Sequence, residues 1–165
     1  MIQGVSKREQ RITDQTQILN LLDAGKVLHL GLCVDNEPYV VPMNYGYTHE
    51  NGKLVLYLHS AVRGKKLDMI RANSKVFFEI DCDWKPFEGV KPCQYGLAYS
   101  SIMGRGTARI VEDVEEKKQA MTVLMKTQTG KDFAFTDEWV SIVAVIRIDV
   151  AEYTAKHRPL PEKMR

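Results

Sequence analysis

The chain has 165 residues, 44% of them hydrophobic, with 23 lysines and arginines against 21 aspartates and glutamates and a formal net charge of +2. That length suits one domain with a real core, and the near-balanced charge gives no global field to recruit nucleic acid or an anionic membrane. Residues 1–8 are too polar for a signal peptide and no later run is long and apolar enough to span a bilayer. A single cytoplasmic domain over 1–165 is therefore expected, with flexible tails at 1–10 and 159–165.

Asp14-Gln-Thr-Gln17 has the pattern of a helix start, followed by Ile18, Leu19 and Leu22 and closed by Gly25. Strands are expected at about 26–34, 38–47, 53–60, 75–83, 99–111 and 141–150. Pro42 cannot donate to a ladder, so its strand reads as an edge or carries a bulge. After the strand ending near Ser60, Arg63, Gly64, Lys65 and Lys66 open a helix through Leu67, Met69 and Ile70, with Asn73 as its stop. Unpaired N–H groups, the helix dipole and three cations converge there, as a phosphate site requires. The alternative is a solvated basic turn.

Asp113-Val-Glu-Glu116 caps a longer helix whose apolar face is Ala120, Val123 and Leu124 and whose end is Gly130. Six strands with mostly short connections argue for a mainly β fold, a closed antiparallel barrel with flanking helices, because closure removes exposed edges. Two loops have two readings each. Residues 84–93 form either a lid over a ligand or a packed surface loop; residues 131–139, with Phe133, Phe135 and Trp139, either line a partner subunit's pocket or fill the gap between helix and barrel.

Cys33, Cys82 and Cys93 are odd in number and show no C-x-x-C spacing, which suits reduced thiols. Cys33 and Cys82 are expected in the core, and Cys93 lies in a Pro-flanked loop where it is either packed or exposed and redox active. His29, His49, His59 and His157 show no zinc-ligand spacing, so no structural metal is expected. His59 stands apart. It follows an apolar strand and precedes Ser60 and the cation cluster, where an imidazole can donate a hydrogen bond or relay a proton.

Val41-Pro-Met-Asn-Tyr-Gly46, Leu56-Tyr-Leu-His-Ser60 with Gly64-Lys-Lys66, and Cys93-Gln-Tyr-Gly96 with Tyr99 to Gly106 resemble, in this order, the FMN-binding split barrel of the pyridoxamine 5′-phosphate oxidase superfamily. The likeness is greater to its branch of nitroimidazole-resistance-like flavoproteins, and it runs from about Arg11 to Arg158. The resemblance implies a six-stranded antiparallel split barrel that binds FMN. Val41, Pro42, Met43, Asn44 and Tyr45 would run beside the isoalloxazine, Leu58, His59 and Ser60 beside the ribityl and phosphate, and Gly64, Lys65 and Lys66 around the phosphate. It further implies a homodimer with two flavins at the subunit interface, where Ser101 and residues near the C-terminus approach a flavin held mainly by the other subunit.

The activity implied is reduction of a small electrophilic aromatic such as a nitro compound, with His59 as the catalytic residue and an electron donor not identified by the sequence. Lys65-Lys66 stands where pyridoxamine-phosphate oxidases proper carry an Arg-Lys pair, and their C-terminal substrate-phosphate motif is not recognisable in 151–165, so vitamin B6 oxidase activity is not expected. Three other readings fit the same residues: a haem protein with His157 as axial ligand, a deazaflavin enzyme, and a non-enzymatic flavin carrier or sensor.

Overall fold

The computed structural model describes residues 10–161. The expected tails at 1–10 and 159–165 thus lie mostly outside the described residues, and Gln10 already belongs to a strand. In chain order the elements are β1 (Gln10–Ile12), α1 (Gln15–Ala24), β2 (Leu28–Val34), β3 (Glu37–Met43), β4 (Tyr45–Glu50), β5 (Lys53–Ala61), α2 (Lys65–Ala72), β6 (Lys75–Phe87), β7 (Gly96–Val111), α3 (Val114–Thr129), α4 (Asp137–Ser141) and β8 (Val143–Arg158).

Local chemistry sets most of the boundaries. The Asp14 carboxylate accepts from the Gln17 N–H at 2.9 Å and Asp113 from the Glu116 N–H at 2.8 Å, each supplying a partner to an orphan donor of the first helical turn. Gly25, Asn73 and Gly130 end their helices as expected, and Gly130 does so in the left-handed conformation with φ +72.

The closed six-stranded barrel is not what forms. Eight strands make one antiparallel sheet in the order β3-β2-β6-β7-β8-β5-β4, with β1 paired to β8, and its two ends, β3 and β4, do not pair with each other among the described residues. The stretch 38–47 expected as one strand breaks at Asn44 into β3 and β4, which diverge to opposite ends of the sheet. β3 is an edge strand, as Pro42 requires, and Pro38 and Pro42 are residues that blunt an exposed edge. Closure is therefore not needed to protect that edge.

Strand alternation divides the core in two. Leu54, Leu56 and Leu58 of β5 join Leu28, Leu30, Phe78, Ile80, Ile102, Ile146 and Ile148 in a main cluster that also takes in Leu21 and Leu22 of α1 and Leu67 and Ile70 of α2. A smaller cluster, Val111, Ala120, Met121, Val140 and Val145, seats α3 and α4, with Tyr57 and Phe135 against it. Of the aromatic residues at 131–139, Phe135 does fill that gap, while Phe133 and Trp139 remain exposed. Cys82 packs half-buried against the main cluster, but Cys33 is exposed rather than core, and Cys93 is exposed too.

Gly46 shows why the motif at 41–46 ends in glycine. A Cβ there would lie 2.3 Å from the Leu124 Cα and 2.8 Å from the Val123 carbonyl carbon, so β4 meets the backbone of α3 with no room for a side chain. A helix backbone cannot swing aside as a side-chain tip can. Gly46→Ala is expected to cost about 1–3 kcal/mol or more, read as a lowered urea midpoint at unchanged slope. An unchanged midpoint would contradict this close approach.

Candidate functional site

β5 ends at Ala61 and α2 begins at Lys65, so the chain turns from sheet to helix through Val62, Arg63 and Gly64. Gly64 is the N-cap, with φ +145 and ψ 160, a conformation that L side chains rarely adopt, and no atom lies within 4 Å of where its Cβ would be. Asp14, Asp113 and Thr136 cap the other α-helices with side-chain oxygens, but no side chain caps α2. Its first N–H groups thus have no side-chain cap, and the space beside Gly64 is open. Arg63, Gly64 and Lys65 are exposed and Lys66 is half-buried, while the Lys65 ammonium stands 4.8 Å over the ring of Tyr39 on β3. Tyr39 is a contributor that the sequence reading missed, because its partner is 26 positions away and no spacing rule links them.

His59 lies on the other face of β5 from Leu58. It pairs with Val145 of β8 and shares its strand face with Tyr57, on the side covered by α3 and α4. Its Nδ1 is buried and has no hydrogen-bond partner among the described residues. Burial holds the imidazole below its ordinary value, so it is neutral near pH 7. No contact joins it to Lys65: the chain brings the imidazole and the cations to the same end of β5, not to one another.

The remaining candidate residues have mixed placements. Ser60 donates its hydroxyl to the Ala61 carbonyl at 2.9 Å, so it must rotate before it can donate to an anion. The Asn44 carboxamide donates to the Lys26 carbonyl at 3.0 Å, fastening the β3–β4 corner to the segment before β2. Tyr45 is fully buried, its hydroxyl donating to the Leu22 carbonyl at 2.6 Å, and burial pushes its pKa up. Met43 and Leu58 are buried, Val41 is half-buried and Pro42 is exposed. Ser101 is buried on β7 opposite Lys156 of β8, eleven positions along β8 from Val145, and is not brought to the α2 site within one chain. His157 lies half-buried in β8, its Nδ1 3.2 Å from the Ser100 Oγ.

The profile of the pyridoxamine 5′-phosphate oxidase family matches residues 14–157, nearly the whole described chain. The chain belongs to this family. Among solved structures, a protein from Bacteroides thetaiotaomicron described as a candidate 5-nitroimidazole antibiotic resistance protein is 31% identical, over 90% of this chain and 87% of that one, with a TM-score of 0.76. The flavocytochrome Anf3 from Azotobacter vinelandii, 17% identical over 92% of this chain and 70% of its own, has a TM-score of 0.72 and shares the fold. So does an FAD and haem binding protein from Mycobacterium smegmatis, 14% identical over 92% of this chain and 74% of its own, with a TM-score of 0.74. An uncharacterised protein of Rhizobium meliloti is 30% identical over 70 residues, so the match spans less than half the length of that curated relative.

The family implies a flavin, and two features of the site fit one. The open Gly64 cap with its cations suits a phosphate, and the unpartnered Nδ1 of His59 suits a polar group of a ligand. No helix of the described residues is long and apolar enough to cross a membrane.

Proposed function

We propose that this chain is an FMN-binding oxidoreductase that reduces small electrophilic aromatics such as nitro compounds, working as a homodimer. The observation that carries this reading is the uncapped, cationic start of α2 at Gly64 in a chain of this family. Lys65, Lys66 and the first N–H groups of α2 would hold the phosphate, with Tyr39 keeping the Lys65 ammonium in place. Val41 to Tyr45, Leu58, His59 and Ser60 would meet the rest of the cofactor. FMN, when bound, supplies reversible two-electron carriage, and the protein supplies anchorage, orientation and electrostatics. A neutral, half-buried His59 can give a hydrogen bond there without carrying a charge into an apolar surround.

The nitro substrate is supported by the 31% identical Bacteroides protein, whose description names 5-nitroimidazole resistance. The dimer is supported by the exposure of the α2 cap: Arg63, Gly64 and Lys65 are exposed, and the clefts beside β1, along the end of α3 and across β2, β6 and β7 do not include them. An open surface excludes water only when a second molecule covers it. Exposed Trp139, Ile142 and Val62 give such a contact apolar material. Ser101, remote from this site in its own chain, would then act on the partner's flavin.

The test is the purified full-length protein. It should carry a yellow chromophore that mass measurement identifies as FMN, sediment as a dimer at micromolar concentration, and oxidise a reduced nicotinamide donor when a nitroaromatic is added. An 18.8 kDa species with FMN bound would refute the dimer. Bound FMN with no reduction of nitroaromatic, quinone or dioxygen by any nicotinamide donor would make the protein a flavin carrier or sensor.

A further inference from the structure

We propose that His29, Glu79 and Asp81 bind a divalent transition-metal ion, at a site separate from the α2 cap of the same chain. Register brings the three together. His29 of β2 is the direct cross-strand partner of Glu79 of β6, and Asp81, two residues further along β6, shares the same face. The His29 Nδ1 lies 3.2 Å from a Glu79 carboxylate oxygen, and one ligand atom from each of the three residues falls within 4.8 Å of the others.

Those separations suit a bound ion. Two ligand atoms each about 2.1 Å from one ion, at angles between octahedral and tetrahedral, stand roughly 3.0–3.4 Å apart. The imidazole and the Glu79 carboxylate already stand at that spacing, and a modest rotation of Asp81 closes the set. The Asp81 carboxylate is oriented from outside by Trp84, whose Nε1 donates to one of its oxygens at 2.6 Å. In a regular strand Trp84, three positions on, would point to the opposite face. A bulge between Cys82 and Lys85, with Asp83 at φ +60, turns it back.

Directly opposite the three stand Pro42 of β3 and Met103 and Ser101 of β7, none of them charged, with Lys156 of β8 beyond Ser101. Cys82 takes no part: its thiol donates to Asp83. One imidazole with two carboxylates and no thiolate suits Zn²⁺, Mn²⁺ or Fe²⁺ better than Ca²⁺ or Mg²⁺. Side-chain exposures of 43% for His29 and 29% for Glu79 leave coordination positions open to water. Spacing rules could not show this, because His29 and Glu79 are fifty residues apart.

Calorimetric titration of the full chain with ZnCl₂ at pH 7.5 in a non-chelating buffer should show one saturable ion per chain. His29→Gln and Asp81→Asn should each weaken it at least tenfold, and Trp84→Phe should weaken it about tenfold or more through the lost orientation. In the unaltered protein, Mn²⁺ should broaden the NMR signals of His29, Glu79 and Asp81 before all others, a readout that needs no variant to fold. Absence of saturable Zn²⁺ binding, binding indifferent to His29→Gln and Asp81→Asn, or Mn²⁺ broadening centred elsewhere would each overturn the site.

Discussion

Replacing Lys65 and Lys66 together by alanine is expected to weaken FMN binding at least tenfold while affecting riboflavin, which lacks the phosphate, far less. A charge-assisted hydrogen bond contributes about 1.5–3 kcal/mol, and a factor of ten needs only about 1.4 kcal/mol. Solvent screening reduces the share of exposed Lys65, but Lys66 is half-buried and Lys65 is already held over Tyr39, so less rotamer freedom is lost on binding. The ionic-strength dependence should fall in the same variant, since lysine acts as a point charge. Equal losses for FMN and riboflavin in equilibrium fluorescence titrations would remove the phosphate from this end of β5.

The elements legible in the sequence were those decided by local chemistry. Asp14 and Asp113 announce their helices because a short carboxylate satisfies an N–H three residues on, and Gly130 announces an end because only a residue tolerant of positive φ sits there. What local chemistry does not decide was missed. β1 has three residues and no apolar alternation, and it exists because β8 extends to Arg158 and offers it a partner. The extra length of β6 past Asp83 was hidden by its bulge, so Trp84 to Phe87 read as loop although they lie in the strand.

The barrel expectation failed for a related reason. It treated edges as a liability needing closure, whereas β3 carries its own protection in two prolines, and the corner at Asn44 is fixed by hydrogen bonds to Lys26 and Gln128 that no pattern in 38–47 reveals. At the site, Gly64, Lys65 and Lys66 were readable because cap and cations are adjacent in sequence. The Tyr39 contact, the burial of Tyr45 and the isolation of His59 Nδ1 depend on partners dozens of residues away.

His59→Ala is expected to keep FMN affinity within a few-fold while lowering kcat by about 10²-fold or more, the usual span for losing a positioned proton donor or acceptor. The reasoning rests on an imidazole whose Nδ1 is buried without a protein partner, which a core histidine kept only for packing would not tolerate cheaply. The variant also has a readout that does not involve turnover. Burial holds the folded-state pKa of His59 below its unfolded value of about 6.5, so between those two values the unfolded chain binds more protons, and stability is lost as pH falls below about 6.5. The alanine variant lacks that loss, so its stability should depend less on pH below about 6.5 than that of the unaltered chain, as read from urea unfolding. If the variant instead loses FMN and turns over normally once saturated with it, His59 anchors the cofactor and moves no proton.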